Sequence, residues 1–254
     1  MIQSEAMKIS QTRSTTTFLA CKACLAVGAA LVLISAPSLT AAEPLTSEYA
    51  WVEGGVSIVP DFDARLSAVL QEQTLNENLK LEMSPGFSAH GGFGERFLPW
   101  LSGEIEGGFY YNDVDTISQG SVAMPHFGGT LMQVPIMLNA VFHLPEDRRW
   151  VPFAGAGVGA RLTWFNADGV IFQGKEGAVE VEDSSTEVSF AYQLFAGLRL
   201  NLQDDSLVAL IYRFNGAISP DWDLKDAYTG SKIANLEADD LCVHTISLGF
   251  YMRF

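Results

Sequence analysis

Past residue 42 the sequence has a single cysteine, Cys242, and no apolar run long enough to cross a bilayer as a helix. The first absence excludes an intramolecular disulfide, so this is not a small secreted domain stapled by bridges. The second excludes spanning helices, which need about 20 apolar residues. Bases are scarce as well: 15 Lys and Arg stand against 30 Asp and Glu. No basic footprint for nucleic acid is present, and no nucleic-acid partner is expected.

The other two cysteines, Cys21 and Cys24, lie in a segment with its own character. Lys8, Arg13 and Lys22 precede the uncharged stretch "ACLAVGAALVLIS", which leads into "APSLTAAEP" with Thr40 and Ala42 small. That pattern predicts a secretory signal over residues 1–42, cleaved after Ala42, with Met7 offering a second start. Its removal takes away one acid and three bases, leaving 29 acids against 12 bases in residues 43–254.

What fills residues 43–254 is period-2 alternation, the mark of strands with two unlike faces. Eight segments carry it: about 50–60, 81–93, 99–111, 130–144, 150–165, 187–201, 206–215 and 242–254. In the fifth, Trp150, Pro152, Ala154, Ala156, Val158, Ala160, Leu162 and Trp164 make one face, and Gly155, Gly157, Gly159, Arg161 and Thr163 the other. The connections alternate too, with long ones at 61–80, 112–129, 166–186 and 216–241 and short ones between. Long external loops and short periplasmic turns are the habit of outer-membrane barrels. Loop 61–80 is expected to hold a short helix.

The expected fold is therefore all-β: an eight-stranded antiparallel up-and-down transmembrane β-barrel over residues 43–254. The apolar faces meet lipid and the polar faces line the lumen, since hydrocarbon tolerates no unpaired sheet edge. A soluble lipocalin-like barrel needs the reverse pattern. Trp150 and Trp164 are 14 residues apart, roughly 35 Å along a membrane normal, which suits two aromatic girdles. Trp51, Trp100, Tyr111 and Phe254 are assigned to the same girdles.

The lumen is expected to hold a charge network in two layers. Glu53, Glu104, Glu106, Arg199 and Arg253 form the periplasmic layer; Glu82, Arg161, Glu187 and Arg213 form the external one. Buried charges persist when paired, and arginine's planar fork suits such pairs.

The stretches "VPIMLNAVFHL", "PFAGAGVGARL", "FAYQLFAGLRLNL", "LIYRF" and the terminal "SLGFYMRF" resemble small outer-membrane barrels of the OmpA-like transmembrane and opacity-protein type. The resemblance covers about residues 50–254 and implies residence in the outer membrane of a Gram-negative-type bacterium. It also implies that Phe250, Met252 and Phe254 form the signal read by the barrel-assembly machinery. Unlike full-length OmpA, the protein is expected to carry no periplasmic peptidoglycan-binding domain after the barrel.

Candidate chemistry is thin. His126 falls in a loop, His90 and His143 face the lumen, and His244 sits where lipid A deacylase barrels carry a catalytic His. Such enzymes need a Ser two residues later on the same face, where Ile246 stands. In "DWDLKD" Lys225 occupies a place where a calcium loop needs a ligand. No enzyme, cofactor or metal is expected. The expected role is envelope-structural or surface interaction through acidic external loops, with lipopolysaccharide and outer-membrane lipid as partners and a monomeric state. A small channel is the alternative, although eight strands leave a lumen that side chains fill. A lipid A-modifying enzyme is a more distant one.

Overall fold

The computed structural model describes residues 48–254 except 71–72, 120–121, 124–127, 145–148, 175–176, 203–204, 219–220, 226–231 and 239. The expected signal lies outside the described residues, as do the loop acids Glu176, Asp226 and Asp239 and the loop histidine His126. No described helix is long and apolar enough to cross a membrane.

The regular elements are strands: β1 (Glu48–Ile58), β2 (Phe62–Leu70), β3 (Gln73–Met83), β4 (Gly86–Leu98), β5 (Leu101–Gln119), β6 (Val122–Ala123) and β7 (Gly128–His143). They continue with β8 (Trp150–Gly174), β9 (Gly177–Asn201), β10 (Ser206–Ile218), β11 (Asp221–Lys225), β12 (Lys232–Ala238) and β13 (Asp240–Arg253). Eight of them close a ring in the order β1, β4, β5, β7, β8, β9, β10, β13. β13 pairs back onto β1 from Tyr49↔Arg253 to Ile58↔His244, so no edge of the ring is left open.

The second wall strand departs from its expected bounds of 81–93. β3 ends at Met83 and the wall strand β4 begins at Gly86, beyond Ser84 and Pro85. Proline has no N–H to give a ladder and interrupts the strand there. The connection from β4 to β5 is then only Pro99 and Trp100.

The segments expected as long loops are largely strand as well. Within the first of them Phe62–Leu70 and Gln73–Met83 pair as antiparallel strands β2 and β3 rather than forming a helix, and within the last Asp221–Lys225 and Lys232–Ala238 are β11 and β12. β3 pairs with β5, β2 with β3, and β12 with β2 and β11. These four segments prolong β4, β1, β13 and β10 past short breaks, while β8 and β9 run 25 residues each without one. At about 3.3 Å per residue and a tilt near 40°, such a strand rises roughly 60 Å, against an apolar band of about 25 Å. The alternation that builds β2 is legible: Phe62 and Ala64 point inward and are buried, while Asp63 and Arg65 are exposed.

The two faces of the ring are chemically opposite. The outer face carries large apolar side chains in the open, among them Val52 at 62%, Phe93 at 65% and Leu248 at 64% exposure. The inner face has three zones. Near the short turns Tyr49, Trp51, Phe153, Phe195 and Tyr251 pack together. At mid-height the buried groups are charged and polar. Toward the long-strand end Phe62, Leu81, Ile117, Leu131, Phe165 and Leu241 form a second apolar cluster.

Candidate functional site

The mid-height cluster is built by strand alternation. Glu104 and Glu106 are two apart on β5, Gln193 and Arg199 share a parity on β9, and Arg213 and Asn215 share one on β10. Each is therefore turned inward, and each is buried.

Glu106 is the centre. Its carboxylate accepts from Arg213 Nη1 at 2.7 and 2.8 Å, from Asn139 Nδ2 at 2.7 Å and from Gln193 Nε2 at 2.8 Å. His90 Nδ1 lies 3.0 Å from the same carboxylate. The second amine of Arg213, Nη2, donates to Glu53 Oε1 at 2.7 Å. One guanidinium thus holds two carboxylates, and the Asn139 and Gln193 amides complete the shell of Glu106, as a buried charge requires. Gly157 leaves room for this arrangement. A Cβ there would collide with Asn139 Oδ1, the amide that supports Glu106.

Nearer the short turns Tyr49 Oη donates to Glu104 Oε1 at 2.6 Å, and Arg199 Nη2 lies 3.7 Å from the same oxygen. The Arg199 guanidinium sits between the rings of Phe153 and Tyr251, 4.2 and 4.4 Å from their centroids. Its Nη1 lies 2.8 Å from His143 Nδ1, and Ser102 Oγ lies 2.7 Å from His143 Nε2. A guanidinium can only donate, so Nδ1 accepts and the ring proton sits on Nε2, facing Ser102. That is the reverse of a serine nucleophile, where the base offers its lone pair to the hydroxyl. On the outer face His244 Nδ1 is 2.8 Å from Tyr212 Oη, with Ile246 exposed beside it and Ser247 buried in the lumen.

The structure redistributes the expected two layers. Arg213, assigned to the external layer, binds Glu106 and Glu53 of the periplasmic one. Strands in a barrel are tilted and sheared, so equal depth along two strands is not equal height in the lumen. Arg161, fully buried, donates to Asn215 Oδ1 at 3.0 Å and to the Leu241 carbonyl at 2.8 Å rather than to a carboxylate. Glu187 shares the lumenal face opposite Thr163 and is only half-buried. Arg253 reaches Asn201 Oδ1 at 3.5 Å.

Glu82 is outside the ring altogether. It lies on β3, half-exposed, 2.7 Å from Lys80, which also meets Asp61 at 2.9 Å. The bonds to Glu82 and then Asp61 raise the Lys80 amine above its ordinary value.

Trp51 is a second correction. It is buried in the lumen, stacked on Tyr251 with centroids 5.9 Å apart, because it shares the parity of Glu53. The other expected girdle residues are placed otherwise. Trp100 is half-buried and stacks on Phe142, Trp164 is half-buried, and Trp150 is exposed. Phe250, Met252 and Phe254 are exposed on the outer face.

Asn139, Gln193, Asn215 and Tyr49 belong to the cluster and were not expected in it. For Tyr49, Gln193 and Asn215 the signal in the sequence is parity with a charged neighbour on the same strand; Asn139, on a strand without Asp, Glu, Lys or Arg, has only its parity with His143. Among the described residues no group of three or more His, Cys, Asp or Glu is placed to hold a metal ion.

A closed ring with an apolar exterior and a charged interior is what a bilayer requires of a strand-built protein. Comparison with known proteins agrees. OprG of Pseudomonas aeruginosa superposes with a TM-score of 0.54 at 14% identity, covering 82% of this chain and 97% of that one. The outer membrane protease OmpT of Escherichia coli gives 0.45 at 9% identity, covering 85% and 99%. Neisserial surface protein A gives 0.42 at 14% identity, covering 81% and 97%. At 14% identity the likeness to OprG concerns the fold alone. No curated protein matches the chain. The sequence profile of the outer membrane protein beta-barrel domain, however, matches residues 26–254, and the chain belongs to that family.

Proposed function

We propose that the protein is a non-enzymatic outer-membrane barrel with an envelope-structural or surface-interaction role, closed to solutes by its lumenal charges. The observation that carries this reading is the Glu53–Arg213–Glu106 cluster, whose groups come from opposite walls and meet at 2.7 Å. Residues 1–42 serve as the cleaved export signal. The short turns face the periplasm and the prolonged strands face outward, as in barrels of this kind. The outward part offers acids such as Asp61, Asp63 and Glu237 to the surroundings. Divalent cations would bridge them to lipopolysaccharide. Phe250, Met252 and Phe254 serve the assembly machinery, and Trp100, Trp150 and Trp164 the interfaces. The ring closes on itself, which supports a monomer.

A small water or ion path is the second reading. Gln133, Thr163 and Ser247 line the lumen with polar atoms that have no protein partner among the described residues, and water satisfies such groups.

Planar-bilayer recording decides between them. The closed barrel shows no discrete conductance as wild type and acquires it in the Glu106→Ala/Arg213→Ala variant. Steady conductance of the wild type would sink the first reading. For orientation, an epitope after Gly174 should be labelled on intact cells and one in the 145–149 turn should not; the opposite pattern overturns it.

A further inference from the structure

We propose that the short-turn rim carries a binding site for a phospholipid with a primary ammonium headgroup, phosphatidylethanolamine, in the periplasmic leaflet. The leaflet rests on the orientation given above; the site rests on its own geometry. A groove of about 630 Å³ runs across the outer surface of β1, β4, β5 and β7. Phe93, Phe97, Ile105 and Leu138 line it, and all four are exposed. The ring of Phe97 lies over Gly103, so that a Cβ there would come within 2.8 Å of Phe97 Cε2 and displace the ring that walls the groove.

At the rim of the groove stand two carboxylates. Glu48 and Glu95 are directly opposite each other on β1 and β4, on the same outer face, and both are exposed. Like charges in register on neighbouring strands repel. Among the described residues neither has an ion-pair partner. The nearest arginines along the chain, Arg96 and Arg253, fall on the lumenal parity of their strands, opposite Ser102 and Tyr49.

A cation at the rim and an apolar chain below it would satisfy both features together. An ammonium has three donors and no acceptor, enough to bridge two carboxylates. The groove then descends past Ile105 and Leu138 into the apolar band. An acyl chain can lie there, whereas a polypeptide would bury unpaired N–H and C=O groups in hydrocarbon. The occupant is therefore a lipid rather than a basic peptide. A headgroup of phosphate alone would be repelled by the two carboxylates.

The test is native mass spectrometry of the folded full chain released from detergent with equimolar phosphatidylethanolamine and phosphatidylglycerol of identical acyl chains. Wild type should retain the first over the second by about tenfold, the scale that two exposed ion pairs provide. Glu48→Gln/Glu95→Gln should bring the ratio to about one. Gly103→Ile, which drives the Phe97 ring out of its place in the groove wall, should lower retention of both lipids. Heat-modifiable gel mobility verifies folding, and the two surface glutamines carry the test if the glycine variant does not assemble. Equal retention by wild type, an unchanged ratio in the double variant, or capture of a basic polypeptide in place of lipid overturns the site. Labelling of the 145–149 turn on intact cells overturns the leaflet while leaving the lipid ratio to stand or fall alone.

Discussion

Replacing Arg213 by Met is the sharpest test of the lumen. The guanidinium is 2% exposed and donates to Glu106 at 2.7 and 2.8 Å and to Glu53 at 2.7 Å. Methionine keeps the apolar bulk and removes the charge, leaving two buried carboxylates facing one another across the lumen. Breaking a buried pair by removing one partner typically costs about 3–5 kcal/mol, and Arg213→Met should fall at the upper end because it takes the cation from two carboxylates, Glu106 keeping only its amide and imidazole neighbours. Glu106→Gln should cost less, about 2–3 kcal/mol, because Arg213 keeps Glu53 and loses one charge-assisted partner. The combined variant then carries a diagnostic sign. With Glu106 already neutral, Arg213→Met orphans only Glu53, so the double variant should be less destabilised than the sum by about 1–3 kcal/mol. Urea unfolding in lipid vesicles measures this, followed by tryptophan fluorescence. Trp51 lies 5.9 Å from the guanidinium and reports on the site itself. An Arg213→Met protein within about 1 kcal/mol of wild type, or strict additivity of the pair, would refute the reasoning.

Tyr49→Phe removes the donor to Glu104 and should cost about 1.5–3 kcal/mol in the same unfolding assay; a loss under about 0.5 would place that hydroxyl's bond in water instead. Gly157→Val should destabilise by about 1–3 kcal/mol through crowding of Asn139, and this penalty should shrink in an Asn139→Ala background, which a double-variant cycle reads. Phe254→Asp should lower the amount of folded barrel in the membrane while leaving the unfolding midpoint of what does assemble unchanged. Normal membrane levels would count against the assembly role.

The parity of side chains was legible from the sequence, and with it the ring of eight strands and the inward turn of Glu53, Glu104, Glu106, Arg161, Arg199 and Arg213. Parity also contained the corrections. Trp51 has the register of Glu53, and an aromatic was placed on lipid by residue type against the alternation of its own strand. Ser84 and Pro85 mark a break that the apolar pattern on either side concealed. Phe62 and Ala64, then Leu79 and Leu81, alternate well enough to predict β2 and β3, yet their separation from the membrane strands made them read as loop. What alternation along single strands does not contain is shear, the offset between neighbours around the ring. That offset decides whether Arg213 meets Glu187 or Glu106, and it becomes visible only when all eight registers are known.

The central cluster also bears on how the barrel comes to be. Glu106 on β5 is held from β4, β7, β9 and β10, and Arg213 passes the charge on to Glu53 on β1. Its two ion pairs join residues 107 and 160 positions apart in the chain. No single hairpin contains a complete set of partners, so a half-formed sheet carries its carboxylates and guanidinium uncompensated. Contacts of such sequence separation form late, after the intervening loops have been closed. The cluster should therefore act as a latch that engages only once the walls carrying β1, β5 and β10 have come together, and an intermediate stalled short of that point should remain marked by exposed charge.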